Sequence, residues 1–517
     1  MFPPPNNVTP SNKSHIAVQH LIHQFINNQW VESAARRRLP VMDPYRQEII
    51  AEVTAGDRQD VDGAVAAARH ALPAWQALGG KQRAEYISAL ADQLTSRRQT
   101  LMRLSASNNG KALAEAGIDL DDAIACYRFY ADQAIALEDR QGRLVNHQRD
   151  DIQAQTYEDP VGVVGLITPW NFPLVTSAWK IAPALAAGCT ILFKPSEVTP
   201  LPENALAEIA EAIALPAGVL NLLHGDAEGI GIPMTTHPGI DKFSFTGSNA
   251  VGERVMAAAA SGARDVSLEL GGKSPILVLE DARLDCAADW VMAGIFFNSG
   301  QVCSATSRLI VHESLADALY EALGERIDAI RLGDPLAEDT DMGPMTSRRQ
   351  REFVERYLAL AREEGLVAVR DAGHCQLPGH GEFVAPTLFR DVPKESRLWR
   401  EEIFGPVLCG RSVQSDEEAI RLANDSPFGL AATVIAGNIE HARAVGRHLR
   451  AGSIWLNSEQ LVMPEVSWGG FGISGIGREL GTWGLSEYLE IKHLIGPTQG
   501  KSVPPGGTQE SVIETWQ

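Results

Sequence analysis

The amino-acid sequence predicts an α/β protein built from two parallel, doubly wound domains in series. Three observations predict this. From residue 161 onward, short apolar runs of buried-strand character alternate with helical stretches, as in a parallel sheet covered by helices on both faces. The alternation breaks at the loop of residues 269–274 and then resumes. The chain length of 517 residues exceeds the ~250–300 at which a single core stops growing.

Each element follows from local pattern. Residues 1–15 and 498–517, rich in Pro, Gly, Ser, Thr, Asn and Gln, read as loose tails. Residues 61–78, 83–105 and 119–137 carry a helical apolar period, and Pro73 is expected to kink or end the first helix early. Residues 161–167 form a buried strand. Two prolines then force Thr168-Pro169-Trp170-Asn171-Phe172-Pro173 into a loop. A helix over 174–187 stops at Gly188 and leads to a strand at 190–193. A helix near 202–213, strands at 219–223 and 242–245, a helix from about Asn249 and a strand at 266–268 complete the first unit. The second carries strands at 276–279, 309–312, near 405–408 and at 431–435, with no internal repeat.

Composition excludes several functions. A net charge of −20 would repel nucleic-acid phosphates. Six scattered cysteines, without a CxxC pair or a neighbouring His cluster, make neither a zinc pattern nor a disulfide framework and suit a reducing compartment. The N-terminus lacks a basic and then apolar leader, and the longest apolar run, 181–193, is interrupted and too short to span a membrane. A soluble cytoplasmic protein without metal is expected.

The candidate chemistry begins at Ser299-Gly300-Gln301-Val302-Cys303-Ser304, where a thiol sits in a glycine-containing polar turn unlike a core strand. A nucleophilic Cys needs dipoles or cations, since its ordinary pKa of ~8.5 leaves a few per cent ionised. Glu269 is delivered by an apolar strand into Leu270-Gly271-Gly272, a tight setting in which a raised pKa suits a general base. Asn171 lies in a loop at the carboxyl end of a strand, where its amide can donate to a developing oxyanion. Phe245-Thr246-Gly247-Ser248 ends a strand and opens a helix, so backbone N–H groups there can cradle a pyrophosphate. In Lys194-Pro195-Ser196-Glu197 the Lys can hold a ribose hydroxyl, and the acid can bind a ribose 2′-OH while repelling a 2′-phosphate. Gly470-Phe471-Gly472-Ile473-Ser474-Gly475 satisfies GxGxxG, but no strand precedes it and no helix clearly follows, so it is rejected as a dinucleotide fingerprint.

These segments, in this order and together with Glu402-Ile403-Phe404-Gly405-Pro406, resemble the aldehyde dehydrogenase superfamily from about His23 to about Ile495. The resemblance implies a Rossmann-like NAD-binding domain over 16–140 and 160–269, a catalytic domain over 270–480, and a small β-flap over 141–159 and 486–497 that assembles homodimers or homotetramers. It implies Cys303 as nucleophile, Glu269 as base, Asn171 with the Cys303 N–H as oxyanion hole, and Lys180 with Glu479 as a proton relay. NAD contacts fall on Ile167, Thr168, Trp170, Lys194, Glu197, Gly231, Thr246, Gly247, Ser248, Leu270, Glu402 and Phe404. The family binds NAD without GxGxxG. Members that pass the acyl group to coenzyme A lack this Glu, so hydrolysis to a carboxylic acid is implied.

Segments 179–189, 303–308 and 477–485 are most similar to betaine aldehyde and aminoaldehyde dehydrogenases, which surround a cationic substrate with aromatic rings. The matching positions are Phe172, Trp179, Phe297 and Trp468. Two departures stand out: Phe at 172 and 297 where plant members often carry Tyr and Trp, and Gly472 where Lys is usual. A broad aliphatic or aromatic aldehyde dehydrogenase, or a thiol esterase without redox work, are the alternatives.

Overall fold

The computed structural model describes residues 21–498; the two expected tails, but for Thr498, lie outside the described residues. An eight-stranded sheet runs in the order 475–476, 265–269, 242–246, 163–167, 190–194, 220–222, 24–26 and 29–31. Its five inner strands, from 265–269 to 220–222, are parallel, and both edges are antiparallel. A seven-stranded sheet runs 367–370, 387–390, 407–413, 308–312, 275–278, 431–435 and 453–456, parallel except at its first pair. Strands 143–144, 152–160 and 489–497 form an antiparallel three-stranded sheet, and 37–43 pairs with 48–55.

The structure departs from local expectation at four places. Arg58–Ala77 is one helix through Pro73, because Trp75, 1% exposed, anchors its last turn in the core despite the hydrogen bond that Pro removes. The single helix expected over 83–105 is two, Gly80–Ser96 and Arg98–Asn109, meeting at Arg97. The Thr95 and Ser96 hydroxyls bond back to the Ala91 and Gln93 carbonyls there, competing with the helical ladder. The helix expected from 119 starts at Leu113, because Glu115 accepts from the Ala112 N–H and caps an earlier turn. The strand expected near 405–408 is Val407–Val413, since Gly405 and Pro406 precede the ladder.

Two features position the site. Parallel strands Val163–Ile167, Thr190–Lys194, Lys242–Thr246 and Asp265–Glu269 end side by side, so their last residues form one rim. The rejected GxGxxG segment makes a short turn, Gly472–Ser474, and then the strand Gly475–Ile476, which pairs with Leu268 and Glu269. Gly475 has φ of 150°, and a side chain on it would strike the Leu268 carbonyl, so only glycine lets this edge close over the carboxylate-bearing strand.

Candidate active site

A cavity of about 1360 Å³ opens beyond the strand rim. From the first sheet it receives Ile167, Lys194, Thr246 and Glu269 at strand ends, and Thr168, Trp170, Asn171, Phe172, Glu197, Gly247, Ser248 and Leu270 from the loops that follow. Gly231 from the turn Ala227–Gly231 and Trp179 from the helix Pro173–Ala187 also line it. From the other side come Phe297, Cys303, Glu402, Phe404 and Trp468. Lys180 and Glu479 do not reach the cavity; they are buried behind Glu269, in contact with each other.

The thiol is presented by a strained turn. Asn298, Ser299 and Gly300 all lie in the left-handed region, with φ of 49°, 55° and 73°. Such a conformation costs of order 1–3 kcal/mol per non-glycine residue and persists only where surroundings impose it. Here Glu115 Oε1 accepts from the Asn298 N–H at 2.7 Å, Asn298 Nδ2 donates to the Asn171 carbonyl at 3.1 Å, and Ser299 Oγ donates to the Gly343 carbonyl at 2.8 Å. Gln301 Oε1 accepts from the Thr346 N–H at 3.0 Å. The turn is pressed so closely against residue 405 that a side chain at 300 would strike the Gly405 carbonyl. The Cys303 carbonyl in turn backs onto Gly272, where an added Cβ would lie 2.6 Å away.

Cys303 is half-buried, its open side on the cavity. Burial, with the charges of Glu269 and Glu402, pushes its thiol up to about 12, against the pull of the Ser304 and Cys303 N–H groups. Glu269 is buried with both carboxylate oxygens unpartnered. Burial and then the Glu479 charge hold it well above the usual carboxylate range, while Lys180 and Arg478 oppose them. Asn171 Nδ2 donates one hydrogen to the Gln301 carbonyl at 2.9 Å, leaving its second for the cavity. Asn109 Nδ2 fixes the same loop through the Trp170 carbonyl at 2.7 Å.

The strand-end side fits a dinucleotide. The buried Thr246 hydroxyl lines the cavity without a partner, and the helix Asn249–Ala260 begins beside it with no side-chain cap on its free N–H groups. Lys194 Nζ lies 3.3 Å from Glu197 Oε2, and Glu402 Oε1 accepts from the Gly272 N–H at 2.9 Å. Burial pushes Glu402 up to about 7, opposed by that N–H and by Lys273. Trp170 and Phe404 meet edge to face with centroids 5.3 Å apart.

The four rings fall into two pairs. Phe172 and Phe297 stack at 6.0 Å with planes 13° apart, and Trp179 meets Trp468 at 5.7 Å. Sequence reasoning missed two carboxylates beside them: Asp119 and Asp122, one turn apart on the helix Leu113–Ala136, line the same cavity. Burial and the neighbouring Asp119 and Asp121 push Asp122 up to about 6. Their i, i+3 spacing on one helical face was the available signal. Asp119 also faces the fully buried Lys111 at 3.4 Å, and Lys111 Nζ sits 3.9 Å from the centre of the Phe172 ring. Among the described residues no cluster of His, Cys, Asp and Glu is placed to hold a metal, and no helix is long and apolar enough to cross a membrane.

A cysteine, a buried carboxylate and an amide donor sharing a dinucleotide-sized cavity at the carboxyl ends of a parallel sheet define an α/β enzyme of acyl or carbonyl chemistry. Comparison with known proteins narrows the class. Residues 30–494 match the aldehyde dehydrogenase family, and the chain belongs to it. It is 43% identical over 488 residues to aminoaldehyde dehydrogenase 2, peroxisomal, of Pisum sativum, covering 93% of this chain and 96% of that one. To the chloroplastic betaine aldehyde dehydrogenase of Amaranthus hypochondriacus it is 42% identical, covering 92% and 96%. A betaine aldehyde dehydrogenase point mutant of Staphylococcus aureus, solved in complex with NAD+, superposes with a TM-score of 0.89 at 37% identity, over 93% of this chain and 98% of that one.

Proposed function

We propose that the protein oxidises a cationic aldehyde, betaine aldehyde or an ω-aminoaldehyde, to its carboxylic acid with NAD as oxidant. The observation that carries this reading is the convergence of Cys303, Glu269 and Asn171 on one cavity whose far wall suits a dinucleotide. Cys303 gives its proton to the Glu269 carboxylate, which releases it to water before the hydrolytic step, and Sγ adds to the carbonyl carbon. The resulting oxyanion is held by the free Asn171 amide hydrogen and the Cys303 N–H, a contact worth ~3–4 kcal/mol in comparable sites. NAD, when bound, supplies the hydride acceptor that converts this thiohemiacetal to a thioester. Lys194 and Glu197 would hold the adenosine ribose, the N–H groups after Ser248 the pyrophosphate, and Glu402 the second ribose. Glu269, in the carboxylate form that the Lys180 and Arg478 charges favour against burial, takes a proton from water; the water oxygen attacks the thioester carbon and the C–S bond breaks.

The cationic substrate is supported by the stacked Phe pair, the Trp pair and the Asp122 carboxylate, because ring faces and carboxylates both favour an ammonium group. Glu197 supports NAD over NADP. The flap over 141–159 and 486–497 supports a homodimer or homotetramer, since Leu144, Ile491 and Ile495 on its strands are each about 70% exposed. Six free cysteines suit the reducing cytoplasm, although the two plant relatives named above are peroxisomal and chloroplastic.

The test is kcat/KM for betaine aldehyde, 4-aminobutanal and a neutral aldehyde of equal length, each with NAD and NADP. Preference for a cationic aldehyde with NAD is expected. A tenfold preference for the neutral aldehyde would overturn the substrate, and ester turnover without NADH formation would overturn the redox reading.

A further inference from the structure

A second, far smaller cavity of about 10 Å³ adjoins the end of the 269–274 loop, with room for one water or one ion of similar size. Its lining carries three cationic side chains, Lys273, Arg308 and Arg450, and no carboxylate. In a chain with 65 acidic and 45 basic residues, so one-sided a lining needs a reason. Lys273 and Arg308 are 1% and 2% exposed, and Lys273 Nζ is buried without a hydrogen-bond partner. Arg308 donates from Nε to the Lys273 carbonyl at 2.7 Å, from Nη1 to the Leu422 carbonyl at 3.2 Å and from Nη2 to the Ala423 carbonyl at 2.8 Å. Two of its five N–H groups remain. Arg450 is exposed at the cavity edge, and only its backbone N–H is engaged among the described residues, by Asn424 Oδ1 at 2.8 Å.

The carboxylates whose charges reach these groups are committed elsewhere. Asp425 pairs with Arg400 at 3.0 Å, Glu401 with Arg397 at 2.8 Å, and Glu402 holds the Gly272 N–H at 2.9 Å. Burial pushes Lys273 down to about 8; Cys409 opposes this and the Arg308 charge adds to it, so most of the lysine is still ammonium at neutral pH. A buried ammonium beside a buried guanidinium costs heavily unless it is countered. A water would satisfy the Nζ donors and leave the charge unbalanced, whereas an anion does both. We propose that this cavity binds a small monovalent inorganic anion of about chloride's size through Lys273, Arg308 and Arg450. The anion enters past Arg450 and serves as a fixed counter-ion to Lys273, next in the chain to Gly272, whose N–H carries Glu402 and which packs on the Cys303 carbonyl. The site is independent of the reaction proposed above.

The test uses bromide and chloride as probes. Crystals of the full chain grown in bromide are expected to show an anomalous scattering peak in this cavity, within hydrogen-bond reach of Lys273 Nζ. In solution, Tm is expected to rise saturably by about 1–3 °C as chloride replaces gluconate, too large for the cavity, at fixed ionic strength. Arg450→Gln should need ~2–5-fold more chloride for the same rise, and Lys273→Met should lose the rise altogether. Where Lys273→Met does not fold, the bromide peak and the Arg450→Gln shift decide. A water in place of bromide, a wild-type Tm blind to chloride, or a chloride response unchanged in both variants would overturn the proposal. An unchanged response in Arg450→Gln alone would overturn the part assigned to Arg450.

Discussion

The two walls of the cavity are built by opposite means. The dinucleotide-side wall is the common end of parallel strands, so Lys194, Thr246 and Glu269 are placed by sheet register and need few special contacts. The thiol-side wall is an irregular turn of three left-handed residues, held by Glu115, Asn171, Gly343 and Thr346 from elsewhere in the chain. Regular geometry suffices to hold a bound dinucleotide, whereas a nucleophile aimed to within about half an ångström needs a shell that over-determines it. The thiol wall is therefore expected to be the more fragile under substitution.

The largest expected effect tests the joint between the walls. Asn171 belongs to a strand-end loop, yet its amide bonds to the Gln301 carbonyl of the thiol turn. Asn171→Ala removes the proposed oxyanion donor and this tie together, and kcat is expected to fall ~10²–10³-fold. KM for NAD should change little, because Lys194 and Glu402 are untouched. Steady-state kinetics with aldehyde and NAD varied separately checks this. A parallel loss in both parameters would mean that the walls are not separable.

A matched glycine pair gives the next effect. Gly300→Ala places a Cβ against the Gly405 carbonyl at φ of 73°, and is expected to destabilise by about 2–4 kcal/mol. Gly231→Ala adds a Cβ whose nearest neighbour is 3.8 Å away, and is expected to stay within about 0.5 kcal/mol of wild type. Thermal denaturation of the two variants side by side reads the contrast. Equal Tm values would remove the claim that the thiol wall is the strained one.

The same contrast explains what was legible in the sequence. Strand ends announce themselves through local pattern, and the loops after 167, 193, 245 and 268 could be named as site segments without any structure. The Cys303 turn gave only its glycine and polar neighbours. Its support Glu115, and Asn109 that holds the neighbouring Asn171 loop, lie in helices whose starts or ends local periodicity misplaced, and their partners are more than 60 residues away. Asp119 and Asp122 were hidden for a related reason: a carboxylate on an amphipathic helix reads as solvated until the fold turns that face toward a cavity. Pro73 shows the converse, a strong local signal overruled by the burial of Trp75.

The smallest effect is a pH slope at the strut of the thiol wall. Burial pushes Glu115 up to about 7, against the Asn298 and Ala112 N–H groups and the Lys111 charge. Its folded pKa lies above the ordinary value of 4.5, so the folded state binds the proton more tightly than the unfolded chain. The stabilisation from that proton is fully present below the ordinary carboxylate pKa and is lost as pH rises through about 7. Glu115→Gln keeps one acceptor for the Asn298 N–H, loses the Ala112 contact at every pH, and cannot titrate. The variant should therefore melt below wild type at pH 6, and the gap should narrow or reverse at pH 8. Thermal denaturation of both proteins at the two pH values measures it, and a gap independent of pH would show that Glu115 keeps one protonation state throughout.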